Sequence, residues 1–201
     1  MSANRPVIGI TGGVATGKSA VAAMLKKYFK YVIDADEVAR RIVEKGKPAY
    51  KKIIKAFGPS LLAKDGSLDR KKLAGSVFKN KKKKKLLEKI THPLIISIMK
   101  NTIAGLKRKN KIIIFEAPLL FEAKMEKMAD IILVVASSQK KQIERFTEKG
   151  YSKKDALLRI KAQLPLEQKI KKADIVIYNN GSLQELKKNV KNLVALLREL
   201  P

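Results

Sequence analysis

Five short apolar runs punctuate the chain: VIGIT (7–11), YVID (31–34), KIIIFEA (111–117), DIILVVA (130–136) and DIVIYN (174–179). They are rich in Val and Ile and nearly continuous, the pattern of strands covered on both faces. Between them, apolar positions recur at helical spacing. The stretch 19–29 carries Val21, Met24, Leu25, Tyr28 and Phe29, and the stretch 183–200 carries Leu186, Val190, Leu193 and Leu197. Alternating strand and helix predicts an α/β fold, a five-stranded parallel sheet flanked by helices with right-handed crossovers. Two stretches exceed that alternation. Residues 37–108 are mostly helical and far longer than one crossover needs, and residues 139–172 form a second helical insertion. The expected core is then residues 1–36, 109–138 and 173–201. Insertions of this kind carry substrate sites and lids.

Composition narrows the setting. With 201 residues, 45 % of them hydrophobic, the chain can bury one real core and support a small attached lobe. It has no cysteine, so disulfides and thiolate metal sites are excluded. The start, MSANRPVIGITGG, lacks the apolar stretch and cleavage pattern of a secretion signal, and no run of about 18 apolar residues occurs. A cytoplasmic protein with no membrane span is expected.

Charge changes the picture more. Lys and Arg number 45 against 18 Asp and Glu, a net charge of +27. Such a field attracts polyanions, whether nucleic acid, nucleotide or anionic lipid. The densest run is KNKKKKKLLEKI, residues 79–90. Its plainer reading is the solvated start of a helix, since Leu86, Leu87 and Ile90 begin an apolar stripe. The other reading is weak, sequence-independent nucleic-acid binding. Few aromatics interleave with the lysines, which argues against a stacking surface for single strands.

The sharpest chemical signal is Gly12-Gly13-Val14-Ala15-Thr16-Gly17-Lys18-Ser19, which matches G-x-x-x-x-G-K-[ST] with a strand before it and a helix after it. Glycines let backbone N–H groups wrap phosphates, and the helix N-terminus adds partial positive charge. Lys18 reaches the β- and γ-phosphates, and the Ser19 hydroxyl ligates Mg²⁺. A tight glycine turn with no ligand is the weaker alternative. The D-x-x-G and N-K-x-D signals of a Ras-like GTPase are absent, as is the L-S-G-G-Q of an ABC ATPase. A small kinase remains, and it must supply an acceptor site, a base and a closing lid.

Candidates for these parts follow from position. Ligands of open α/β sheets sit beyond the carboxyl ends of the strands. Asp34 and Asp36 fall at that end of the second run and share a face if the strand continues. One of them, Asp36, suits a base for an acceptor hydroxyl; it equally suits an N-cap for a helix starting at Glu37. Glu116 ends the third run and suits Mg²⁺, or is a strand-end acid with no role. Arg145 with Lys149, and Arg159 with Gln163, are spaced to share helix faces, with Ser152 and Asp155 resembling a capping box between them. They read as lid cations or as surface charge. The single histidine, His92, precedes Pro93 and is expected to end one helix as the next begins, facing a cleft or packing locally.

Taken in order, GITGGVATGKS, VIDAD, SLDRKKLAGSVF, His92-Pro93, APLLFE, RIKAQLP and ADIVIYNNGS resemble the dephospho-CoA kinase family from about Val7 to Leu186. The resemblance implies transfer of the ATP γ-phosphoryl group to the ribose 3′-hydroxyl of dephospho-CoA. It implies a nucleoside-monophosphate-kinase-like core, with 37–108 as the helical CoA-side insertion and 139–172 as the lid. It makes Asp36 the base, alongside Lys18 and Arg145 in catalysis, and Arg145 and Arg159 lid residues on ATP. Asn180 and Gly181 lie where adenine rests. Thr11, His92, Pro118, Leu119, Leu120 and Glu122 lie toward the CoA side. Two departures stand out: Ala15 replaces a usual glycine, and Lys149 stands near a usual second lid arginine.

Overall fold

The computed structural model describes residues 5–78 and 80–200. Residues 1–4, which begin the amino-terminal stretch, Lys79, which begins the lysine run, and Pro201 lie outside the described residues. Five parallel strands form one sheet: β1 (Val7–Gly12), β2 (Tyr31–Asp34), β3 (Ile113–Glu116), β4 (Ile131–Ala136) and β5 (Ile175–Tyr178). Their spatial order is β2-β3-β1-β4-β5. Each strand lies within a residue or two of its apolar run. β1 extends one residue further, to Gly12, whereas β3 keeps only the inner four residues of its run.

The chain divides into two compact units, 1–34 with 103–201, and 35–102. In the first, helices α1 (Lys18–Leu25) and α9 (Leu183–Glu199) cover one sheet face. Val21 and Leu25 meet Leu186, Val190, Leu193 and Leu197 over Ile8, Ile10, Leu133, Val135 and Ile177. α1 stops at Leu25, short of the Phe29 expected from periodicity, although Phe29 still packs on this core. α9 opens on a capping box in which Ser182 and Glu185 satisfy each other's backbone N–H groups. On the other face, Gly9 lies under Phe115, Leu120 and Ala129; a Cβ there would come within 2.8 Å of Leu120. The missing side chain at Gly9 therefore admits the turn that follows β3.

The region 139–172 of this unit holds three helices, α6 (Gln139–Thr147), α7 (Lys153–Lys161) and α8 (Leu166–Lys171). Two expected face pairs are corrected: α6 ends before Lys149 and α7 before Gln163, so neither pair shares a helix face. Ser152 does cap α7, accepting from the Asp155 N–H, but its hydroxyl bonds the Asp155 carboxylate at 2.6 Å, a different closure from the full box.

The second unit is helical: α2 (Ala35–Ile42), α3 (Pro48–Phe57), α4 (Arg70–Phe78) and the part up to Thr102 of α5 (Lys81–Lys107). Ile53, Leu61 and Leu68 centre its core, packed by Tyr50, Phe57, Leu73, Leu87 and Ile90. The lysine run is the start of a helix with Leu87 and Ile90 inward, whereas Leu86, expected on the same stripe, is exposed. The break expected at His92 does not occur, because α5 runs through Pro93. Proline removes one backbone bond, to the Lys89 carbonyl. The surrounding ladder tolerates this, and the Thr91 hydroxyl adds a bond to the Leu87 carbonyl at 2.9 Å. α2 likewise starts at Ala35, so Asp36 is a helical first-turn residue; it is neither extended beside Asp34 nor an N-cap.

Candidate active site

The phosphate loop leaves β1 at Gly12 and enters α1 at Lys18, with Gly17 as the N-cap at φ 94°. Only glycine takes that conformation without strain. The loop also has no room for side chains at two points. A Cβ at Gly12 would lie 2.4 Å from the Val135 carbonyl oxygen, and one at Gly17 would lie 2.1 Å from Asn179 Nδ2. Asn179 braces the loop, donating to the Thr16 carbonyl at 2.8 Å. Thr16, itself buried, donates from Oγ1 to the Gly13 carbonyl at 3.1 Å. Gln142 Nε2 donates to the Ser137 carbonyl at 3.0 Å, which holds the amide beside Gly13. Ala15 sits at φ 54°, in the left-handed region that its methyl group disfavours.

At the loop's end, Lys18 Nζ pairs with Glu116 Oε1, both side chains about nine-tenths buried. Ser19 Oγ donates to the same oxygen at 2.9 Å. Strand register explains the meeting: Glu116 stands beside Ile10 of β1, two residues before the loop, and beside Asp34 of β2. Asp34 and Glu116 thus occupy one sheet face at one level. A cation, a hydroxyl and a carboxylate share this corner with the free N–H groups of a helix start, which is an environment for phosphate. The Ser19 and Glu116 oxygens are hard donors that fit Mg²⁺, which takes few protein ligands and keeps water and phosphate oxygens. Among the described residues no group of three or more His, Cys, Asp or Glu side chains could hold a metal by itself.

Arg145 of α6 closes over the loop, donating to the Asn179 carbonyl at 2.9 Å and the Thr16 carbonyl at 3.4 Å. Asn180 Oδ1 accepts from the Ser138 N–H at 2.7 Å. At Gly181 a Cβ would overlap the Glu185 carboxylate at 1.5 Å, so glycine there admits the cap of α9. Arg159 of α7 lies 5.4 Å from the rings of both Phe146 and Tyr151, which stack on each other at 4.5 Å. In the turn after β3, Thr11 Oγ1 donates to the Pro118 carbonyl at 3.2 Å, Leu119 is half-buried, and Leu120 is fully buried under the turn. Glu122 accepts from the Leu164 N–H at 2.9 Å and pairs with Lys169 at 3.0 Å.

Residues 11–19, 116, 118–122, 145, 159, 180 and 181 all lie in the first unit, Arg159 against the Phe146 and Tyr151 rings. Asp36, exposed in the first turn of α2, and His92, half-buried in α5, belong to the second unit. That unit holds its own groove of about 460 Å³, lined by the apolar Val38, Ile42, Leu94 and Ile98 and by the charged Arg41, Glu44 and Lys47. Three residues escaped the sequence reading. Asn179 was adjacent to a named candidate in YNNGS, and that adjacency was a usable signal. Gln142 and Lys169 carried none.

A phosphate loop on a five-stranded parallel sheet, with a carboxylate at the neighbouring strand end and arginines on a following helical region, defines a P-loop kinase. The family model of dephospho-CoA kinase (CoaE) matches residues 6–185. A dephospho-CoA kinase of Bacillus cereus is 44% identical over 183 residues, covering 90% of this chain and 92% of that protein. Among solved structures, TT1252 from Thermus thermophilus is 33% identical with a TM-score of 0.80, covering 97% of this chain and 99% of that one. Dephospho-CoA kinase from Campylobacter jejuni is 29% identical with a TM-score of 0.71, covering 94% and 95%. The chain belongs to the dephospho-CoA kinase family. It is a nucleotide-binding phosphotransferase of coenzyme A biosynthesis.

Proposed function

We propose that the chain transfers the γ-phosphoryl group of ATP to the 3′-hydroxyl of dephospho-CoA, with the residues in the following roles. The observation that carries the reading is the convergence of Lys18, Ser19 and Glu116 at the phosphate loop of a member of this family. The loop N–H groups from Gly13 to Lys18 and the Lys18 ammonium hold the β- and γ-phosphates. Ser19 and Glu116 would hold Mg²⁺, which would supply positive charge to offset that of the phosphates. Arg145, braced on the loop, orients the nucleotide with Asn180 and Gly181 at its base. Arg159 supplies charge from the lid, its guanidinium suited to equatorial phosphoryl oxygens. Asp36 accepts the hydroxyl proton. Thr11, Pro118, Leu119, Leu120, Glu122 and His92 serve the acceptor, and the groove along α2 and α5 has apolar side chains for a pantetheine arm, with Arg41 and Lys47 beside Glu44 in its lining. A cytoplasmic location is part of this reading. Among the described residues no helix is long and apolar enough to cross a membrane.

The test is ADP release with three acceptor conditions. Release with dephospho-CoA, and little with AMP or no acceptor, is expected. Equal release with AMP points to a different kinase, and acceptor-independent release contradicts the assignment.

A second role has its own observation. Lys81–Lys85 begin α5 without an acid in its first turn, at the helix end where positive charge is least favoured. Four of the five are exposed. This surface binds nucleic acid weakly and without sequence preference.

A further inference from the structure

Lys169 of α8 has no exposure to solvent. Its ammonium has three N–H bonds and meets three acceptors: Glu122 Oε1 at 3.0 Å, the Pro118 carbonyl at 3.0 Å and the Gly12 carbonyl at 3.4 Å. Two of the partners are held a second time. Pro118 also accepts from Thr11, and Glu122 also accepts from the Leu164 N–H in the linker between α7 and α8. Gly12 is the last residue of β1 and the first of the phosphate loop. One cation thus joins the phosphate loop, the Pro118–Glu122 turn and the segment that closes the lid region.

Stability alone does not explain a charge at this place. A buried ion pair gains little over well-packed apolar residues of the same volume, because desolvation offsets the attraction. Burial pushes the Lys169 pKa down, Glu122 opposes that, and the Lys18 ammonium lowers it further. The two cations repel, so negative charge arriving at Lys18 makes the Lys169 charge more favourable. What an apolar cross-link could not supply is direction: the N–H groups fix two oxygens of the Pro118–Glu122 turn and one of the phosphate loop.

We propose that Lys169 is a positioning residue for phosphoryl transfer, setting the acceptor-side turn 118–122 against the phosphate loop and tying both to the lid through Glu122. The proposal rests on the reading of 118–122 as acceptor-side. Its geometry is internal to the first unit, and it acts through backbone oxygens and Glu122, without touching the reacting atoms.

The test is steady-state kinetics of Lys169→Met, which keeps most of the unbranched side chain and removes its ammonium group. With the protein shown to be folded by its thermal melt, kcat should fall roughly ten- to hundredfold, as misplacement by a fraction of an ångström does. The KM for dephospho-CoA should rise about fivefold while that for ATP stays within about twofold. A kcat and a dephospho-CoA KM both within about twofold of the parent would overturn the proposal, as would equal rises in both KM values, the mark of a merely structural role. If Lys169→Met does not fold, Glu122→Gln decides. It keeps an oxygen for Leu164 and weakens the hold on Lys169, so the same pattern is expected at smaller size, and unchanged kinetics overturns the proposal. Leu119→Ala reports on the underlying reading separately: an unchanged dephospho-CoA KM in that variant contradicts the acceptor-side placement, whatever Lys169→Met shows.

Discussion

The nucleotide end of the sheet and the helical unit 35–102 are built on different principles. At the sheet end, the groups proposed to act on the nucleotide are buried and bonded: Lys18, Thr16, Glu116 and Asn179 are each less than a tenth exposed. Strand register fixes Glu116, loop carbonyls fix Thr16 and Asn179, and Lys18 is held by Glu116. In the helical unit the buried set is aliphatic, centred on Ile53, Leu61 and Leu68, while its candidate base Asp36 is exposed on a helix. A rigid end suits recognition of a phosphate chain whose geometry never varies. A helical unit with a small core suits a part of the enzyme that must admit and release a long substrate. Catalytic loss should therefore be greatest where the buried network is cut, and should separate cleanly from stability in the helical unit.

The largest effect is expected at Lys18. Lys18→Ala removes the cation and leaves Glu116 held by Ser19 alone. Turnover should drop by about 10³-fold or more, the scale of a lost charge-stabilising group. Circular dichroism should still show a folded protein, with a lowered Tm because an acid has lost its buried partner. Near-normal turnover at saturating ATP would contradict the role given to the loop.

Next comes the opposite case, Asp36→Asn in the helical unit. A base role predicts a fall in kcat of ~10²-fold with little change in KM or Tm. The loose character of phosphoryl transfer keeps the value at the lower end. Because α2 begins at Ala35, no N-cap is lost, and a large Tm shift would not be expected. Asp34→Asn sharpens the contrast, since Asp34 stands in register with Glu116 on the sheet. A greater kcat loss at Asp34 than at Asp36 would move the base onto the rigid end.

Ala15→Gly tests the rigid end from the other side. Ala15 has φ 54°, and glycine removes the Cβ clash of the left-handed region. The substitution should raise stability by about 1 kcal/mol. The midpoint of urea unfolding should rise with an unchanged slope. A lower midpoint would mean that the flexibility glycine adds to the unfolded chain outweighs the relief.

The buried Lys169 makes stability depend on pH in a definite direction. Its folded pKa lies below the ordinary 10.5, chiefly through burial. Between the lowered value and 10.5 the unfolded chain holds the proton more often than the folded one, so this group's cost is full at lower pH and fades as pH rises. Stability of the parent should climb through that window more steeply than that of Lys169→Met. Parallel curves would contradict the burial of the charge.

The smallest effect concerns the exposed lysines. Changing Lys81–Lys85 to glutamine should leave kinetics unchanged and flatten the salt dependence of binding to a random-sequence duplex. A salt slope identical to the parent's would remove the run from that surface.

How much of this was legible in the sequence follows the same division. The strands could be read because burial on both faces leaves continuous Val and Ile runs. The loop could be read because its chemistry is local, eight consecutive residues between a strand and a helix. Glu116 could be read as a strand-end acid, though only register shows it sharing an oxygen with Lys18 and Ser19. Helix limits were harder. Pro93 signals a boundary, but the loss of one backbone bond is small against the packing of a helix as long as α5. Asp36 looked like a cap because residue type does not reveal that the helix starts directly at the strand end. Lys169 was illegible: with 45 Lys and Arg in the chain, nothing in the residue itself tells which one the fold will bury.

The central claim is that the buried sheet end moves a phosphoryl group from ATP onto one particular hydroxyl. The direct measurement is tandem mass spectrometry of the product formed from ATP and dephospho-CoA, with ADP quantified in the same reaction. The account predicts coenzyme A bearing a single new phosphomonoester on the ribose 3′-oxygen, in one-to-one ratio with ADP, and none with Lys18→Ala. ADP formed without that ester, or the ester found at another position, would contradict it.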